Sequence, residues 1–242
     1  MGLTARVTVW PMRRNTKTPL TRETILGGRL PEMLRAADPP LRVLTDAELA
    51  RSRADTMSEH ECGDLWVFAY GSLIWNPAFH FAERRRGRLL GYHRRFCLRT
   101  HIGRGTRDNP GLMLGLEAGG SCTGLAYRIA ADAVEQETWV LWKREMIVGS
   151  YSPRWVVVDG AGPNRRAITF VMNKAHHLYA GRLPRSEVVR TLATAEGDLG
   201  RSCDYLYEII AELASFGIHD RGLVSIARNV RAQQRDARVG RV

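Results

Sequence analysis

No apolar run in this sequence approaches the ~20 residues that span a bilayer. Nor does a basic-then-apolar leader open it, because Pro11, Arg13 and Arg14 interrupt a short mixed stretch. A soluble, cytoplasmic protein without a membrane partner is the expectation. Cysteine is scarce: the four thiols Cys62, Cys97, Cys122 and Cys203 are scattered and form no Cys-x-x-Cys pair. That argues against a zinc site and a disulfide framework, and it suits a reducing compartment. The adjacent His176 and His177 point apart on any regular element and no Glu-x-x-His pattern accompanies them, so no metal is expected. Neither a P-loop nor a dinucleotide fingerprint is present, and internal repeats are absent.

What is present is ordinary globular composition, with 44% hydrophobic and 25% charged residues over 242 positions, enough for one large domain or two small ones. The net charge of +11 raises the question of nucleic acid. Much of the excess is arginine spread along the chain, which equally suits small anionic substrates. Arg228, Arg231, Arg235, Arg238 and Arg241 follow one another near the end, with Leu223, Ile226 and Val230 at helical spacing. Without interleaved aromatics this reads as a solvated helix face, and nucleic acid is not expected as a partner.

Residues 1 to 63 read as a helical extension packing on the main domain. Thr45-Asp-Ala-Glu48 is a capping box opening a helix from Asp46 to about Thr56, and Pro31, Pro39 and Pro40 break what precedes it. Residues 64 to 242 form the main domain. Its first part is rich in strands: Leu65 to Ala69, the alternating Phe96, Leu98 and Thr100, then Leu112, Leu114 and Leu116, with Thr123 to Ile129, Trp155 to Val158 and Ala167 to Val171 beyond. Gly87, Gly91, Gly119, Gly120 and Gly160 punctuate them. One helix, about Asp132 to Val148, interrupts the series, and from Pro184 onward the chain is helical, near 186–196, 203–215 (closed by Gly217) and 221–236. The fold class is α+β, a small barrel-like curved sheet of short strands with helices around it.

Two places carry chemistry. Leu65 to Ala69 is a buried strand that stops at Tyr70-Gly71-Ser72, and a glycine there lets backbone N–H groups approach a ligand. By itself this is equally an ordinary strand and turn. Ser72 stands outside a Gly-x-Ser-x-Gly elbow, which disfavours acyl-enzyme chemistry. On the helix near 132–148, Val134, Thr138, Leu141 and Glu145 share one face, which puts Glu145 on the apolar side, away from Glu135, Glu137 and Lys143. A carboxylate there is either paired, with Arg144 or another arginine, or used as a base with a raised pKa. The loop His101 to Gly111 is rich in glycine and arginine and reads as a hairpin connection or a clamp for a carboxylate or phosphate.

These pieces resemble one family. Val67-Phe-Ala-Tyr-Gly-Ser-Leu-Ile-Trp-Asn-Pro77, Gly91-Tyr-His-Arg-Arg-Phe-Cys-Leu98, Leu141-Trp-Lys-Arg-Glu-Met146, Tyr151-Ser-Pro-Arg-Trp155 and Asp204-Tyr-Leu206 are similar, in order, to the ChaC family of glutathione-specific γ-glutamylcyclotransferases. The resemblance runs from about residue 64 to 230. It implies that the chain cyclises the γ-glutamyl group of glutathione to 5-oxoproline and releases Cys-Gly, without a cofactor. It implies that Ala69, Tyr70, Gly71, Ser72, Leu73 and Ile74 hold the γ-glutamyl group, that Glu145 is catalytic and that Tyr205 contacts substrate. Arg104 and Arg107 are candidate partners for substrate carboxylates. Gly103, His177 and Cys203 stand where the family pattern has His, Pro and Asn. Turnover of other γ-glutamyl compounds and a non-catalytic γ-glutamyl-binding or cation-transport regulatory role are the alternatives.

Overall fold

The structure, a computed structural model, describes residues 20–37, 40–162 and 165–239. Pro39 and Arg241, named above, lie outside them. The described N-terminal segment forms three helices, α1 (Arg22–Leu26), α2 (Arg29–Arg35) and α3 (Asp46–Met57). Five strands then close a barrel, and their chain positions are β1 (Leu65–Ala69), β2 (Glu83–Thr100), β3 (Gly111–Ile129), β4 (Tyr151–Asp159) and β5 (Arg166–Met172). Helix α4 (Val134–Glu145) lies between β3 and β4. Helices α5 (Arg185–Thr194), α6 (Ser202–Ser215) and α7 (Arg221–Val239) follow, with a two-stranded ribbon of β6 (Glu196–Gly197) and β7 (Gly200–Arg201) between α5 and α6. Among the described residues no helix is long and apolar enough to cross a membrane.

Around the barrel the order is β1-β3-β2-β4-β5, antiparallel except where β5 meets β1 in parallel at Val67 and Ile168. All five residues of β1 are buried, as a strand covered on both faces requires. The α+β barrel expected from sequence is therefore present, but the runs at 96–100, 112–116 and 123–129 are not separate strands. They belong to two strands of 18 and 19 residues, β2 and β3. The register shifts between Leu90 and Tyr92, opposite Ser121 and Ala118. There Gly91, Gly119 and Gly120 all take positive φ, so these glycines bend the pair through a bulge instead of ending it.

The capping box is formed as read: Glu48 N–H donates to Thr45 Oγ1 at 3.2 Å and Thr45 N–H to Glu48 Oε2 at 2.8 Å. Pro31 does not break a helix. It is the third residue of α2, where an N–H has no intrahelical acceptor and proline loses nothing. Helix α4 packs its Trp142 ring edge-on to Phe170 of β5, at 5.5 Å between centroids, and Trp142 Nε1 donates to Ser52 of α3.

Glu137 corrects the sequence reading. It is not on a solvated face but only 1% exposed, because α1 covers it. Arg22 donates to both its oxygens, at 2.5 and 3.0 Å, and His80 N–H donates at 2.8 Å. Removing one member of a buried pair strands the other charge. Arg22→Met is therefore expected to lower the free energy of unfolding, measured in urea, by roughly 3 kcal/mol. Arg42→Ala, which breaks an exposed pair with Glu48, is expected to leave it unchanged within error.

Candidate active site

Beyond Ala69 the chain leaves the barrel through Tyr70 and Gly71 into a single 3-10 turn, Ser72–Ile74. The turn is closed by Ile74 N–H on Gly71 O at 3.0 Å and Asn76 N–H on Ser72 O at 3.1 Å. The first N–H groups of such a turn have no acceptor within it. Opposite stands the last residue of α4, Glu145. Between them is a narrow cavity of about 20 Å³, room for a single water. Tyr70, Gly71, Ser72, Leu73, Glu145 and Tyr205 all line it, so six of the sequence-predicted residues converge there. Ala69 and Ile74 do not line it; both are fully buried behind it, Ile74 offering its carbonyl to the Tyr127 hydroxyl at 2.8 Å.

One guanidinium joins the two halves. Arg144, its side chain 3% exposed, donates from Nε to Glu145 Oε1 at 3.0 Å and from Nη2 to Ser72 Oγ at 3.1 Å, and it also donates from Nη1 to the Asn76 carbonyl. The pairing with Arg144 and the place in a cavity, alternatives in the sequence, hold together. Burial pushes the Glu145 carboxyl above its ordinary value, and the Arg144 charge pulls it back without cancelling that effect. Burial likewise lowers Arg144, against the pull of Glu145.

Three tyrosines frame the cavity, and the barrel positions each by its hydroxyl. The stretch of β3 around Leu114 pairs with β2 on one side only. On the other, Leu114 N–H donates to Tyr205 Oη at 3.3 Å, and Tyr151 Oη donates to Leu114 O at 2.8 Å. Tyr70 Oη donates to Phe170 O at 2.8 Å. Burial raises all three phenols, keeping them neutral donors. The Tyr205 hydroxyl overhangs Gly71 so closely that a Cβ there would sit 3.3 Å from it, tighter than a normal contact. A side chain at residue 71 would therefore press on the Tyr205 hydroxyl, whereas the negative φ there makes no demand for glycine.

Sequence reasoning missed Phe68, Leu114, Tyr151 and Phe170 as lining residues. Tyr151 opens one of the motifs quoted above, but nothing local marks its hydroxyl as directed at β3. Arg104 is engaged elsewhere, donating to Glu208 at 3.0 Å and to the Arg201 carbonyl at 3.2 Å. Among the described residues no cluster of three His, Cys, Asp or Glu is arranged to hold a metal.

A family model described as "ChaC-like protein" matches residues 65–233 of this chain. The glutathione-specific γ-glutamylcyclotransferase of Escherichia coli is 38% identical over 213 residues, covering 88% of this chain and 92% of that protein. The human glutathione-specific γ-glutamylcyclotransferase 1 is 30% identical over 150 residues, 60% of this chain and 68% of that protein. Among solved structures, the yeast γ-glutamyl cyclotransferase specific to glutathione superposes with a TM-score of 0.63 at 20% identity, over 70% of this chain and 96% of that one, which supports the fold. The match spans the turn, α4 with Glu145, the barrel and α6, and by it the chain belongs to the ChaC-like protein family.

Proposed function

We propose that this chain is a glutathione-specific γ-glutamylcyclotransferase, with Glu145 as the proton carrier and the Tyr70–Leu73 turn as the holder of the γ-glutamyl group. One observation carries the reading: a desolvated carboxylate faces a strand-to-turn segment across one cavity, and Arg144 ties both together.

The substrate brings its own nucleophile. The α-amine of a γ-glutamyl residue, with a reference pKa near ~8, is mostly protonated at neutral pH and cannot attack. Glu145 takes a proton from it. The nitrogen then adds to the γ-carbonyl carbon, closing a five-membered ring that is favoured once the chain is held folded. Negative charge develops on the carbonyl oxygen, where backbone N–H groups of the turn and the Tyr205 hydroxyl are the donors at hand. Tyr205 suits that role, because its oxygen accepts from Leu114 N–H and its own proton remains to be given. Glu145 returns its proton to the departing amine as the amide C–N bond breaks, and the second proton shed by the new ring nitrogen follows the same route, leaving a neutral lactam N–H and the ammonium of Cys-Gly. Every atom of glutathione ends in 5-oxoproline or Cys-Gly, so the balance requires no co-reactant. The cavity as it stands is smaller than a γ-glutamyl group, so this reading requires side chains around it to shift on binding.

Purified protein incubated with glutathione is expected to release 5-oxoproline and Cys-Gly in equal amounts, read by mass spectrometry. Glu145→Gln is expected to lower kcat by ~10²–10⁴-fold, the range for loss of a general acid–base, with an unchanged circular dichroism spectrum. Full activity in that variant would remove Glu145 from the mechanism.

The pH profile follows from the environment of Glu145. The base must be ionised, so kcat/KM falls as pH drops through its pKa, which burial has raised. The acid limb is therefore expected above the ordinary carboxylate range. The Arg144 charge lowers that pKa, so Arg144→Gln is expected to move the limb to still higher pH. A limb that stays put in Arg144→Gln, or survives in Glu145→Gln, assigns it to another group.

A further inference from the structure

Glu145 has a second side. Together with Tyr151 it also borders an adjoining chamber of about 160 Å³, far roomier than the cavity at the turn. Part of this chamber's wall comes from the ends of β2 and β3 and the segment after α4, through Leu98, Met113 and Ile147. A second part comes from residues that precede the barrel, Leu30, Met33 and Leu34 of α2, flanked by Leu20 and Leu41, and Ile102, Leu178 and Leu199 add to it. The lining is mostly aliphatic, and three of the polar side chains on it have partners elsewhere. Thr24 bonds with Thr21, Thr100 donates to the Ile102 carbonyl at 2.5 Å, and Arg99 pairs with Glu187 at 2.9 Å.

This wall is fastened to the catalytic elements. Asn76, just past the turn, donates its side-chain amide to the Leu20 carbonyl at 2.8 Å, while its own carbonyl receives Arg144. Arg22 is locked to Glu137 of α4, and Leu44 N–H donates to the Ile147 carbonyl at 2.8 Å. Leu20, Arg22 and Leu44 are thus tied to the turn, to α4 and to the segment just after it.

If Glu145 protonates the departing amine, the residue carrying that amine lies within hydrogen-bond reach of the carboxylate, and its side chain has the chamber before it. We infer that this chamber is the leaving-residue subsite, and that α2 with Leu20 and Leu41 sets which side chain it accepts. The inference rests on the cyclotransferase reading. The occupant is a small apolar or thiol side chain on the residue joined to the γ-glutamyl carbonyl. A thiol behaves as a small hydrophobe. An apolar cavity of ~150 Å³ takes a group up to the size of benzene. A hydroxyl entering it would exchange water for a mostly aliphatic wall, at a cost that a methyl or thiol does not carry.

Binding can be read without turnover, by calorimetry on the Glu145→Gln protein with glutathione, its α-aminobutyryl analogue and its seryl analogue. The aminobutyryl peptide is expected to bind within about threefold of glutathione, and the seryl peptide roughly tenfold more weakly. Met33 is only partly buried, so Met33→Trp fills the chamber from its rim. It is expected to weaken glutathione and the aminobutyryl peptide by at least ~5-fold while sparing γ-glutamylglycine, as a pocket filled at one subsite does. Should that variant fail to fold, Met33→Ala widens the chamber and is expected to strengthen binding of S-propylglutathione by about threefold. Equal binding of the seryl and aminobutyryl peptides, indifference to both Met33 variants, or no binding of any peptide overturns the subsite. Failure of the wild type to form 5-oxoproline, with the peptide ranking intact, overturns the reaction and leaves the subsite standing.

Discussion

The guanidinium of Arg144 is the contact on which this site depends. It is a buried cation with three acceptors: the carboxylate of the next residue, the hydroxyl of Ser72 and the carbonyl of Asn76. Its planar fork suits that spread, because its donors point in fixed and different directions. Without it, Glu145 would be an uncompensated buried carboxylate, and the turn after β1 would lose its tie to α4. A pair removed from water keeps its charges only with such further hydrogen bonds. Even so, desolvation outweighs mutual attraction on both partners, raising the acid and lowering the base.

The barrel supplies the rigidity. A strand end with an unpaired backbone edge is ordinarily a liability. Here the edge around Leu114 is satisfied by two tyrosine hydroxyls reaching from β4 and α6, so the need of that edge for partners fixes where the cavity's side walls stand. Thr169 Oγ1 on the Phe68 carbonyl and Tyr70 on the Phe170 carbonyl do the same where β1 meets β5. Glu145, Tyr151 and Tyr205 rest on a helix end, a strand and a helix locked by backbone bonds, which favours a fixed geometry on that side of the cavity.

Much of this was legible in the chain and some was not, and the division follows sequence distance. Leu65 to Ala69, the Thr45 capping box and the three C-terminal helices depend on local pattern, and each stands within a few residues of its expected place. Helical periodicity put Glu145 on the inner face of α4. The same periodicity misplaced Glu137, because what buries it is Arg22 and α1, more than a hundred residues earlier. The glycines at 91, 119 and 120 read as ends of strands, yet a glycine with positive φ serves a bulge as well as a turn, and only the pairing partner decides. Tyr151 had no local signal, since its role is a bond to a backbone carbonyl 37 residues away.

The position of Glu145 in its helix adds one further physical effect. It is the final residue of α4, where carbonyl groups without intrahelical partners concentrate partial negative charge. A carboxylate is normally disfavoured at that end and lysine or arginine favoured, as Lys143 and Arg144 immediately before it illustrate. Helix end and burial therefore act together to resist ionisation of Glu145, and Arg144 alone opposes them. The chain places its acid where a stability argument would put a base, and then supplies one cation to hold the acid ionisable. Such a placement, unfavourable for folding yet compensated by one specific partner, suits the proton-transfer role proposed for Glu145, which asks for a carboxylate that can both take a proton and give it back.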